Sequence, residues 1–84
     1  MLKVEYSNQA LKFFKRIDKT LADRILKNIE ELRNNPFPLE TKKVQGYKED
    51  VYRVRVGNYR VLYEIDKSKN LLGVVKIDHR GQVY

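Results

Sequence analysis

Hydrophobic and polar positions alternate at the start of the chain, where Leu2, Val4 and Tyr6 flank Lys3 and Glu5. A period of two predicts a short strand with one buried face. The period then lengthens. Ala10, Leu11, Phe13, Phe14 and Ile17 fall at helical spacing behind Ser7, a residue suited to capping a helix. Asp18-Lys19 breaks that stripe, and Thr20 with Asp23 three residues later resembles a capping box. Leu21, Ala22, Ile25, Leu26, Ile29 and Leu32 give a second helical stripe, which Asn34-Asn35-Pro36 ends because proline restricts its predecessor and donates no amide. Two helices joined by so short a break are expected to pack as an antiparallel pair.

The segment from Phe37 to Asp50 reads mostly as loop, after which alternation resumes. Tyr52, Val54 and Val56 lie on one side of the next strand, with Val51, Arg53 and Arg55 on the other. From Tyr59 to Ile65, Tyr59, Val61, Tyr63 and Ile65 alternate with Arg60, Leu62 and Glu64. Asp66 to Asn70 is a polar turn, and Leu71 to Ile77 is apolar on both faces, as in a central strand. The order predicts an α+β fold: an N-terminal strand, a helical hairpin, then a three-stranded antiparallel meander, in one mixed, mostly antiparallel sheet. No repeat or linker interrupts it, so residues 1–84 are read as a single domain.

Composition narrows the function. Hydrophobic residues make up 42% of 84 positions, enough for a packed interior. Lys and Arg number 18 against 11 Asp and Glu, a net +7 that favours a polyanionic partner, nucleic acid before membrane. The absence of cysteine excludes disulfides and cysteine-ligated metal. The longest apolar run, Leu71 to Val75, is interrupted by Gly73 and far short of a membrane span. Charges at Lys3 and Glu5 argue against a secretory signal, so a cytoplasmic location is expected.

Gly57-Asn58 can close a two-residue hairpin, which would set Arg55 opposite Arg60 and Val54 opposite Val61. Arg53, Arg55 and Arg60 then share the side away from the tyrosines. Like charges facing across a ladder destabilise it, and a bound phosphate would offset that, since guanidinium grips phosphate at two points. A solvated outer face accounts for the same arginines equally well. His79 is the sole histidine, and Lys42, Lys43 and Lys48 either extend the positive field or are solvated loop lysines. No carboxylate cluster, glycine-rich phosphate loop or based nucleophile accompanies the arginines, which leaves no metal or cofactor site. Basic groups alone suit RNA cleavage by its own 2′-hydroxyl, where the protein orients the chain, neutralises charge and moves protons.

The run Asp50-Val-Tyr-Arg-Val-Arg-Val-Gly-Asn-Tyr-Arg-Val-Leu-Tyr-Glu-Ile65, followed by His79-Arg80 and Val83-Tyr84, resembles the RelE/ParE superfamily of toxin–antitoxin toxins, on the RelE side. The resemblance implies a ribosome-dependent mRNA endoribonuclease that inhibits translation and is held inactive by a cognate antitoxin in a hetero-oligomer. It implies that Arg53 and Arg55 hold the message and its scissile phosphate; Lys43 and Lys48 join them as expected substrate contacts on their charge alone. It also implies that Arg60 stabilises transition-state charge, that Arg80 stabilises that charge or the leaving group, and that Tyr84 stacks on a base or accepts a proton. Some relatives use a histidine near His79 for proton transfer. Arginine stands at 53 and 55 where lysine is also familiar, and being always charged neither is a base. Two alternatives share the fold: a ParE-like gyrase inhibitor, and a non-catalytic repressor module that binds without cutting.

Overall fold

The computed structural model describes residues 1–38 and 41–79. Strand β1 (Lys3–Tyr6) leads into helices α1 (Asn8–Arg16) and α2 (Lys19–Asn34). Strands β2 (Lys42–Val44), β3 (Val51–Val56), β4 (Tyr59–Asp66) and β5 (Leu71–His79) follow. They form one five-stranded sheet in the order β1-β5-β4-β3-β2. β1 joins β5 in parallel, and the remaining neighbours are antiparallel. This is the expected α+β arrangement with one addition. The segment read as loop before β3 holds β2, whose three residues are too few for an alternation to show. Lys42 and Lys43 head this edge, in keeping with the charged residues that discourage edge-to-edge pairing.

Both helices lie on one face of the sheet, α1 against β5 and β1, α2 against β3. The sheet, rather than the other helix, is each one's main partner. Ala10, Ile25, Ile29 and Leu32 meet Val54, Val61, Tyr63, Leu72, Val74 and Ile77 in the core. Each fully buried aliphatic side chain there contributes roughly 1.5–3 kcal/mol relative to exposure. Leu11 and Leu26, which belong to the apolar stripes by spacing, are instead 48% and 38% exposed. No helix among the described residues is long and apolar enough to cross a membrane.

The helix starts differ in how they follow the pattern. Ser7 caps α1, its hydroxyl accepting from the Ala10 amide at 3.1 Å. The cap of α2 is Asp18, whose carboxylate accepts from the Leu21 amide at 2.8 Å, so Thr20 and Asp23 sit inside the helix and form no capping box. A carboxylate satisfies the free amide and favours the positive end of the helix dipole, so the cap lies two residues before the one expected at Thr20. Asp23 meets Lys19 one turn back at 3.2 Å instead.

The Gly57-Asn58 hairpin forms with the expected register: Val56 opposite Tyr59, Arg55 opposite Arg60, Val54 opposite Val61. Gly57 has φ +60° and Asn58 is not among the positive-φ residues, the pattern of a type II′ turn with glycine first. The β4–β5 pair is less regular. Its register shifts between Leu62 and Tyr63, so that Tyr63 faces Val74 but Leu62 faces Lys76, leaving Val75 as an extra residue in β5. Ser7 holds this bulge through two contacts, its amide donating to the Val74 carbonyl at 2.9 Å and its hydroxyl to the Val75 carbonyl at 2.6 Å.

Candidate functional site

The bulge decides which residues meet at the far end of the sheet. Beyond it, Arg60 lies opposite Asp78 and Tyr59 opposite His79. Cross-strand partners share a face, so Arg60, Asp78, Lys76 and Arg55 all stand on the side away from the helices. Arg53 lies opposite Leu62 on that same side. Leu62 is only 4% exposed yet stands apart from the helix-side core. Its cross-strand neighbours Arg53 and Lys76 have methylene stems long enough to cover it while their charged ends reach water. Leu62 thus lies between two basic side chains on the outer face.

Arg60 is held firmly. Its Nε donates to Asp78 Oδ1 at 3.0 Å and its Nη2 to Oδ2 at 2.9 Å, a two-point pair with both side chains mostly buried. Lys76 Nζ lies 3.8 Å from the same Oδ2. Sequence reasoning passed over Asp78 because counting back from the Asp66–Asn70 turn without a bulge places Ile77, not Asp78, opposite Arg60.

A groove of about 510 Å³ opens where α1 meets this end of the sheet, and Arg60, Lys76 and His79 reach its walls together with Phe13, Tyr59 and Arg16. Arg16 also escaped the sequence reading. Its only signal was its place in the last turn of α1, three residues after Phe13, where a cation suits the helix dipole. The ring of His79 stands edge-on to Tyr59 at 5.1 Å. Tyr59 meets Phe13 at 5.6 Å, Phe13 meets Phe14 at 6.2 Å, and Phe14 meets Tyr6 at 5.9 Å. Of the three tyrosines of β3 and β4 on the side away from the arginines, Tyr63 is fully buried and Tyr52 packs on the cluster, whereas Tyr59 stands at the groove wall. The end of β5 is fastened to α1 by Gln9, whose side-chain amide donates to the Ile77 carbonyl at 2.8 Å and accepts from the Ile77 amide at 2.9 Å. β1 ends before this point, so the Gln9 amide occupies the place of a missing strand.

The remaining candidates divide. Lys42, opposite Arg53, shares its face and extends the basic surface. Lys43 pairs with Tyr52 on the other side, and its ammonium meets Asp50 at 2.9 Å, a hydrogen bond that raises its pKa. Lys48 is exposed in the turn between β2 and β3. Arg80 and Tyr84 lie outside the described residues. Toward the opposite end of the outer face the charge changes sign, since Glu5 and Glu64 flank Gly73 from either side. Among the described residues no cluster of three or more His, Cys, Asp or Glu could hold a metal ion.

Residues 4–84 match the family described as the ParE toxin of the type II toxin–antitoxin system. The chain belongs to the RelE/ParE superfamily of type II toxins. It is 32% identical to toxin RelE3 of Methanocaldococcus jannaschii across 99% of this chain and 96% of that protein. The RelE of an archaeal RelE–RelB complex from Pyrococcus horikoshii superimposes with a TM-score of 0.81 at 28% identity, covering 98% of both chains. The intact Escherichia coli RelBE toxin–antitoxin complex contains a chain of the same fold, with a TM-score of 0.78 at 22% identity over 94% of this chain and 96% of that one.

Proposed function

We propose that this toxin is a cytoplasmic, metal-independent endoribonuclease that cuts messenger RNA on the ribosome by attack of the RNA's own 2′-hydroxyl. The observation that carries this reading is the convergence of Arg53, Arg55, Arg60 and Lys76 on one side of the sheet end, beside a groove that His79 and Tyr59 line. Arg55 faces Arg60 directly across the ladder, an arrangement that a phosphate between or above them stabilises. Arg53 and Arg55 hold the backbone of the message. Arg60 stabilises the charge that gathers on the phosphorane oxygens, with Arg80 as its partner by family resemblance. A base, His79 or Tyr84, takes the 2′-hydroxyl proton. The oxygen then bonds to phosphorus, the bond to the 5′-oxygen breaks, and that oxygen takes a proton as it leaves.

The relatives crystallised with RelB support a cognate antitoxin as this chain's partner. Leu11 and Leu26, exposed on the two helices, offer apolar anchors for an amphipathic segment of it, and acidic residues of that segment would complement the basic face.

Primer extension on a message translated in a cell-free system tests the activity, with Arg60→Ala alongside the unaltered chain. Cuts in step with codons that need translating ribosomes and vanish in the variant are the expected result. Intact message with arrested DNA supercoiling would instead favour the ParE-like gyrase reading, which the family match at residues 4–84 also accommodates.

A further inference from the structure

Arg60 meets any incoming phosphate with a carboxylate already in its grip. Asp78 takes two of its donors at 3.0 and 2.9 Å, in a partly enclosed setting where the side chains are 20% and 15% exposed. Two consequences follow from that geometry. The fork of the guanidinium is fixed in plane and direction, so it need not reorganise when charge develops on a substrate. A phosphate approaching the same guanidinium also feels the negative charge of Asp78, which weakens the ground-state complex. Lys76, 3.8 Å from Asp78 Oδ2, shares the carboxylate and offsets part of that repulsion. On its other side Arg60 faces Arg55, a like charge that would push an untethered guanidinium away from the cluster.

We propose that Asp78 is a positioning residue for Arg60 that gives up ground-state affinity for RNA in exchange for a fixed orientation of the guanidinium during cleavage. The role rests on the endoribonuclease reading above. Asp78 touches no reacting atom, and its influence passes through Arg60. Repulsion weakens binding and also opposes the charge that gathers on the phosphorane, whereas fixed orientation favours turnover; with orientation the larger effect in the transition state, removing the carboxylate tightens binding and slows turnover. A purely structural ion pair would weaken both.

The test uses a single-stranded RNA made uncleavable by 2′-O-methyl groups, with binding read by fluorescence anisotropy at several salt concentrations. Turnover is read separately on translating ribosomes. Removing one negative charge a few ångströms from a bound phosphate is expected to tighten binding of the Asp78→Asn variant by about three- to tenfold, with a steeper salt dependence. Its turnover at saturating ribosome–message complex should fall, and that of Asp78→Ala should fall further, by roughly tenfold or more, because Ala retains no acceptor for the Arg60 fork. Asp78→Glu keeps the charge but not the geometry, so its affinity should stay within about twofold of the unaltered chain while its turnover drops. It remains informative if the neutral variants fold poorly. An Asp78→Asn variant that melts normally yet binds RNA no more tightly overturns the affinity effect, and unchanged turnover in all three variants overturns the positioning effect. An unaltered chain that cuts no message overturns the endoribonuclease reading, and this role with it. Cleavage by the unaltered chain with unchanged variants overturns only the role of Asp78.

Discussion

Ser7 joins the first helix to the irregular strand that arms the site, and replacing it with alanine tests that link. Its hydroxyl accepts from the Ala10 amide at 3.1 Å, closing the start of α1, and donates to the Val75 carbonyl at 2.6 Å, holding the bulge. Loss of a helix cap costs about 1 kcal/mol, and loss of a part-buried hydrogen bond to a carbonyl about 1 kcal/mol more. The Ser7→Ala variant should therefore lose about 2 kcal/mol. In a domain of this size that lowers the melting temperature by roughly 8–16 °C. Ser7→Asp separates the two parts: its carboxylate can still cap α1 but cannot donate to Val75, so it should recover only about half of the loss. Urea unfolding followed by circular dichroism measures both variants, and hydrogen exchange at the amides of 74–77 shows whether the bulge loosens. A Ser7→Ala unfolding free energy within about 0.5 kcal/mol of that of the unaltered chain, a small cost for losing such contacts, would refute the reasoning. Complete recovery by Ser7→Asp would refute the bulge half of it.

Gln9→Leu removes the side-chain amide that takes the place of a strand beside Ile77, and should cost about 1–2 kcal/mol in urea unfolding, with faster exchange at the Ile77 amide. Tyr63→Phe deletes the hydroxyl that donates to the Pro36 carbonyl and meets Thr41 Oγ1 at 3.2 Å, at an expected cost of about 1 kcal/mol on the same assay. Burial pushes the Tyr63 and Tyr6 phenols above their ordinary value of 10.0. Their folded pKa values exceed the unfolded ones, so the unfolded state loses protons first and stability should fall as pH rises from about 10 through the folded values. Ultraviolet titration of the phenolates, with Tyr63→Phe lacking one late-titrating group, checks this. Gly57→Ala forces alanine to φ +60° and crowds the Arg24 guanidinium 3.0 Å away, with an expected loss of about 1–2 kcal/mol.

The chemistry of the hairpin was legible because every signal there is local. Gly57-Asn58 sets the turn, the two-residue period assigns the faces, and a short connection leaves one register that keeps Tyr52, Val54, Val61 and Tyr63 together. The opposition of Arg55 and Arg60 follows from those facts alone. Both helices were readable for the same reason, although the expected cap at Thr20 gave way to Asp18, set by backbone geometry that neighbouring residues do not dictate. β2 was not legible, because three residues at an edge carry too little pattern and depend on β3 to exist.

What the sequence determined by itself is thus the order of the elements apart from β2, the basic face of the hairpin and the resemblance that names its family. Tertiary structure decided what completes that face. β5 is apolar on both sides from Leu71 to Val75, so no alternation reveals that one residue is extra. Contacts from the far end of the chain meet it there, Ser7 with Val74 and Val75, 67 and 68 positions away, and Gln9 with Ile77. Side chains alternate with a period of two, so one inserted residue exchanges the faces of everything beyond it. Ile77 turns inward to the core, Asp78 turns outward to Arg60, and the arginine gains the carboxylate that holds it.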